Sequence, residues 1–103
     1  MSVEEIIKNF ANEVEGQEGV EDNILVFTLS TCQWCKKCKR FLNENKMKYK
    51  YIDVDKIDPK DKSKILNYLE STYNSRVSYP FFVCEGGHVA GYNPNKYMEL
   101  LKK

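Results

Sequence analysis

Two short runs rich in β-branched and aromatic residues, ILVFTL at residues 24–29 and YKYIDV at residues 49–54, bracket a stretch of helix formers. That stretch, KKCKRFLNENK, contains neither glycine nor proline. The first run has the character of a buried strand. The second reads as a strand through Tyr49, Tyr51, Ile52 and Val54. A strand–helix–strand unit favours a parallel pair, and the rest of the chain has to be arranged around it.

Upstream, Ser2 and Glu5 have the form of a capping box. Val3, Ile6, Ile7, Phe10 and Val14 recur at helical spacing, which predicts a first helix over 3–15, ended by Gly16 and Gly19. Downstream, Asp58-Pro59 sets a capping residue before a proline at the first helical position. Ile65, Leu66, Leu69 and Tyr73 give that helix one apolar face. Pro80 opens FFVC (81–84), and Glu85-Gly86-Gly87 turns the chain into HVAGY (88–92), a hairpin. Asn93-Pro94 repeats the cap-then-proline pattern before a last helix, with Tyr97, Leu100 and Leu101 facing inward. The expected architecture is an α/β four-stranded mixed sheet with helices on both faces. A single domain over 1–103 follows, with 1–22 a helical extension and 23–103 the core.

A chain of 103 residues, 42% hydrophobic, can bury one modest core. Sixteen basic and fifteen acidic residues leave a net charge of +1, which gives no reason to expect nucleic acid or an anionic membrane as partner. Apolar runs such as ILVF are too short to span a bilayer. MSVEEIIKNF has neither the basic start nor the long apolar stretch of a secretory signal. A cytoplasmic location is expected, and in that reducing compartment four cysteines are read as chemistry or as core, not as a disulfide framework.

Three of those cysteines, Cys32, Cys35 and Cys38, follow one another at intervals of three in STCQWCKKCKR. At roughly 100° per residue, positions 35, 38, 41 and 42 share one stripe of about 120° that should face the sheet. Cys32 falls at the lip of the helix, where free backbone N–H groups and the positive end of the dipole favour a thiolate. Lys36 and Lys37 add positive charge nearby and are candidates for tuning the thiol or docking a partner. Cys32 is then placed to attack a disulfide and Cys35 to release the mixed disulfide. Trp34, between them, is expected to be partly exposed and able to hold a partner chain. Cys38 and Cys84 read as small buried hydrophobes.

A metal reading competes. Sulfurs at 35 and 38 on a continuous helix point along one flank and cannot enclose an ion. Cys84 lies about 13 Å along its strand from Pro80, and His88 reads as an exposed strand or turn residue. No metal site within one chain is therefore expected. An iron–sulfur or zinc carrier that uses Cys32 with a second copy, or with an added thiol, remains open, as does a scaffold without redox activity.

Strand, S-T-C-Q-W-C, helix, Y-I-D-V-D, then S-Y-P-F-F-V, a glycine turn and A-G-Y-N-P together resemble a glutaredoxin of the thioredoxin superfamily, from about Ile24 to Leu101. The resemblance implies a thioredoxin-like fold and a cis Tyr79–Pro80 bond beside Cys32. It also implies substrate contacts from Trp34, Tyr79, Pro80 and Gly91. Tyr79 would pair, strand-like, with a disulfide-containing peptide. The sequence departs from the family where glutathione is gripped. Cys32-Gln33-Trp34-Cys35 stands where C-P-Y-C is usual, and Leu29 where a basic residue is usual. Ala90-Gly91-Tyr92-Asn93-Pro94 stands where G-G-x-D-D is usual. Pro94 lacks a donor N–H, and Asn93 lacks the charge to pair an amino group. The resulting expectation is a protein-disulfide reductase that uses Cys32 and Cys35 as a dithiol, without glutathione and without a cofactor. It would be recharged by a thioredoxin-reductase-type or ferredoxin-dependent reductase. The basic cluster Lys36, Lys37, Lys39 and Arg40 would be available to an acidic partner.

Overall fold

The computed structural model describes residues 2–14, 24–74, 76–84 and 86–101. Helix α1 (Val3–Phe10) and strand β1 (Asn12–Val14) precede β2 (Leu25–Thr28), α2 (Gln33–Glu44) and β3 (Tyr49–Asp53). A 3₁₀ turn over Val54–Lys56 leads to α3 (Pro59–Tyr73), the hairpin strands β4 (Phe81–Cys84) and β5 (Gly87–Ala90), and α4 (Pro94–Leu101). The sheet runs in the order β1-β3-β2-β4-β5. As expected, β2 and β3 are parallel and the closing hairpin is antiparallel.

Local signals fix most of the helix ends. The Ser2 hydroxyl accepts from the Glu5 N–H at 3.3 Å and donates to the Glu5 carboxylate at 3.2 Å. The Asp58 carboxylate accepts from the Lys60 N–H at 2.9 Å, with Pro59 at the first helical position. The Asn93 side-chain oxygen accepts from the Lys96 N–H at 3.2 Å. Each such cap satisfies a donor that the helix leaves unpaired, at a gain of about 1 kcal/mol.

The sheet divides the core into two layers. Against one face, Cys38 and Leu42 of α2 and Tyr97 of α4 pack on Val26, Tyr49 and Phe82. Against the other, Ile6 of α1 and Ile65 and Leu69 of α3 pack on Phe27, Ile52 and Phe81.

The first helix is shorter than its spacing predicts, and the sheet has five strands where four were expected. Ala11 is extended, and Asn12, Glu13 and Val14 pair antiparallel with Tyr51, Lys50 and Tyr49. The cause is non-local. Ile6 is buried on the α3 side of the sheet, whereas Val14 packs on the α2 side. A continuous helix would keep Val14 with Ile6, whereas a strand along β3 carries it past the sheet edge. Gly16 and Gly19, the expected terminators, lie outside the described residues.

Candidate active site

Strand β2 ends at Thr28, and a tight turn delivers the chain to α2, closed by the Cys32 N–H donating to the Leu29 carbonyl at 3.1 Å. Cys32 is the N-cap of α2, and its sulfur accepts from the Cys35 N–H at 3.4 Å. It is the most exposed of the four cysteines, half-buried where Cys35, Cys38 and Cys84 are buried. Cys35 lies one turn inward, and its sulfur accepts from the Leu29 N–H at 3.4 Å. Burial pushes the Cys35 thiol up to about 12, with the neighbouring Cys32 acting in the same direction. The reduced site thus pairs a reachable sulfur at a helix N-terminus with a neutral thiol behind it.

Carboxylates at the ends of the two parallel strands hold this turn. Asp53, the last residue of β3, accepts from the buried Thr28 hydroxyl and from Lys39 of α2, the latter at 3.3 Å. Asp55, two residues on, accepts from the Ser30 N–H at 3.0 Å and from the Ser30 hydroxyl at 2.6 Å. Those bonds hold the Asp55 carboxyl below the usual carboxylate range. The Y-I-D-V-D stretch therefore anchors both the strand leading to Cys32 and the helix leaving it.

The remaining sequence candidates gather around the same end of the sheet. Trp34 is 55% exposed, its ring centroid 6.0 Å from that of Tyr92. The Lys37 ammonium sits 4.4 Å from the Trp34 ring centroid, a cation–π contact. Lys36 is exposed on the outer face of α2. The Tyr79–Pro80 bond is cis, as the resemblance implied. Gly91, with φ +93°, donates its N–H to the Pro80 carbonyl at 2.8 Å and accepts from the Tyr97 hydroxyl. Positive φ there is the conformation a glycine accepts without strain.

Two expectations need correction. Lys39 is not part of a free basic cluster, because it is paired with Asp53 and lies 3.8 Å from the Tyr51 ring centroid. His88 is in a strand but half-buried, stacked on Phe81 at 5.7 Å and close to Tyr73 at 4.6 Å. Cys38 and Cys84 are core residues as expected, and burial pushes the Cys38 thiol up to about 11. Among the described residues, no group of three histidine, cysteine or acidic side chains is gathered as a metal site. Nor is any helix long and apolar enough to cross a membrane. Sequence reasoning gave no role to Ser30, Asp55 or Tyr92. The acidic pair Asp53 and Asp55 at the end of β3 is the available signal for the first two.

Comparison with known proteins agrees with this geometry. The family model described as Glutaredoxin matches residues 24–89. No curated protein sequence matches significantly. Among solved structures, a glutaredoxin from Methanosarcina mazei superposes with a TM-score of 0.75 at 26% identity, covering 91% of this chain and 89% of that one. A glutaredoxin from Archaeoglobus fulgidus gives 0.70 at 31% identity, covering 81% and 89%. Methanosarcina acetivorans methanoredoxin gives 0.69 at 28% identity, covering 79% and 85%. With the thioredoxin-like sheet and the C-x-x-C turn at its end, these matches establish that the chain belongs to the glutaredoxin family.

Proposed function

We propose that this protein reduces protein disulfides through Cys32 and Cys35 and works without glutathione. The observation that carries the proposal is the contrast between the two sulfurs. Cys32 is reachable and receives the Cys35 N–H, whereas Cys35 is sealed behind it as a neutral thiol.

In the first step the Cys32 thiolate attacks one sulfur of the substrate disulfide. That S–S bond breaks, the departing thiolate takes a proton from solvent, and Cys32 is left in a mixed disulfide. In the second step Cys35 loses its proton and bonds to the Cys32 sulfur, and the second substrate thiolate leaves with that proton. Two electrons pass to the substrate and the enzyme is left with a Cys32–Cys35 disulfide. A reductase that donates two electrons, of the thioredoxin-reductase or ferredoxin-dependent class, restores the dithiol. Trp34, Tyr79, Pro80 and Gly91 would hold the substrate chain, and Lys36 and Lys37 would meet its flanks. A reducing compartment such as the cytoplasm suits this cycle.

The start of α4 supports independence from glutathione. Pro94 has no N–H, and the Asn93 side chain already occupies the Lys96 N–H, so that helix end is capped from within. Half-buried Leu29 packs against the core where a basic residue would meet a carboxylate. The test is steady turnover of a disulfide-bonded protein with two donor systems. NADPH with a thioredoxin-reductase-type enzyme should sustain it, while glutathione with glutathione reductase should not. Equal turnover with glutathione alone would contradict the proposal.

A further inference from the structure

Tyr97 of α4 has no exposed surface, yet it ends in a hydroxyl. Its ring belongs to the α2 side of the core, stacked on Phe82 with centroids 4.2 Å apart and 6.0 Å from that of Phe41. A phenylalanine would make those contacts without the desolvation that a buried hydroxyl costs. The hydroxyl offsets that cost by donating a hydrogen bond, and the acceptor lies outside the aromatic core. It is the carbonyl of Gly91, at the bend between β5 and α4. Gly91 in turn donates its N–H to the Pro80 carbonyl at 2.8 Å. Its outer side is open: apart from its chain neighbours, a Cβ added there would meet nothing within 4 Å. Two hydrogen bonds in series therefore run from the core to the two backbone positions, Gly91 and Pro80, that would hold the substrate chain.

We propose that Tyr97 is a positioning residue for protein substrates: its hydroxyl fixes the Gly91 bend, and through it the Pro80 carbonyl, in the arrangement that receives the incoming chain. Gly91 needs such support because it sits at φ +93° with the conformational freedom of a glycine and no side chain to pack. Holding the bend before binding spares the substrate the ordering that association would otherwise cost. Burial pushes the titration of Tyr97 upward, so it stays a donor at working pH. Its ring also lies edge-on to Tyr92, 6.2 Å between centroids, and Tyr92 is 6.0 Å from Trp34. Tyr97→Phe keeps those ring contacts and removes the hydroxyl. The Cys38 thiol meets the same hydroxyl, so Cys38→Ala is the control that leaves the Gly91 bond in place.

This inference rests on the reading of Pro80 and Gly91 as residues that hold a protein disulfide. The experiment is single-turnover reduction of insulin and of cystamine by prereduced wild type, Tyr97→Phe and Cys38→Ala, with amide hydrogen exchange followed by NMR. In Tyr97→Phe the half-saturating insulin concentration should rise about fivefold, the loss expected for one ordinary hydrogen bond. The limiting rate and the rate with cystamine should stay at wild-type values. The Gly91 amide should exchange faster than in wild type, while the amides of β4 keep their rates. Cys38→Ala should leave the half-saturating concentration unmoved. An unchanged value in Tyr97→Phe, an equal loss on cystamine, an unaltered Gly91 amide, or an equal rise in Cys38→Ala would overturn the role of Tyr97. Failure of prereduced wild type to reduce insulin would sink the reductase reading itself, and this inference with it, which separates the two failures.

Discussion

Ser30 and Asp55 are joined by two hydrogen bonds, one from the Ser30 N–H at 3.0 Å and one from its hydroxyl at 2.6 Å. This links the turn before Cys32 to the residues that follow β3, across the ends of the parallel pair. Asp55→Asn should loosen the turn and slow disulfide exchange while leaving the fold intact. Because Ser30 lowers the folded-state value of Asp55, the stabilisation is present in full above the unfolded value near 3.8. It shrinks as pH falls below that and is gone once pH passes the lowered folded value. Denaturant unfolding of wild type and Asp55→Asn across that range should show the gap between them close on acidification.

Cys38 is a core residue, and the proposed dithiol mechanism gives it no part. Cys38→Ala should leave turnover unchanged and lower stability by about 1–2 kcal/mol through lost packing against Tyr97 and Phe82. Insulin reduction and chemical denaturation measure the two effects separately. A drop in turnover that exceeds the loss of folded protein would give Cys38 a part in the chemistry.

Ile6 has no exposed surface and packs against Ile65 and Leu69, so α1 is part of the fold's second layer. Ile6→Ala should cost about 2–4 kcal/mol in denaturant unfolding. The adduct-forming rate of the folded fraction should stay unchanged, since Ile6 lies in the layer opposite Cys38.

The strand–helix–strand unit, the hairpin and the three capped helix starts were legible because each is set by neighbouring residues: Ser2 with Glu5, Asp58 with Pro59, Asn93 with Pro94. Strand β1 was not, because Val14 fits the helical spacing of Ile7 and Phe10. What moves it into a strand is the free edge of β3, a property of the folded sheet. The C-x-x-C turn was legible from its context of strand, polar turn and basic helix. Its supports were hidden for the same reason as β1. The pairing of Ser30 with Asp55, and of Lys39 with Asp53, depends on where two strands end relative to each other. The burial of His88 is not legible locally, because the Tyr73 ring reaches it from the end of α3, while Phe81 stacks on it from the other strand of the hairpin.

Trp34 is the largest exposed apolar side chain at the site, with Tyr92 beside it and Lys37 over its ring. Trp34→Ala should raise KM for a protein disulfide by about tenfold or less, in the range of an interface anchor of ~1 kcal/mol. The rate with a small disulfide such as cystamine should stay close to wild type, and so should the melting temperature. Equal losses on both substrates would place Trp34 in the fold and not in docking.

The central claim is that one sulfur attacks and its buried neighbour releases. Incubating Cys35→Ser with insulin and weighing the intact product tests it directly. A stable covalent adduct that peptide mapping places on Cys32 is the predicted result, with no adduct in Cys32→Ser. Absence of the adduct, or its attachment to Cys38 or Cys84, would contradict the account.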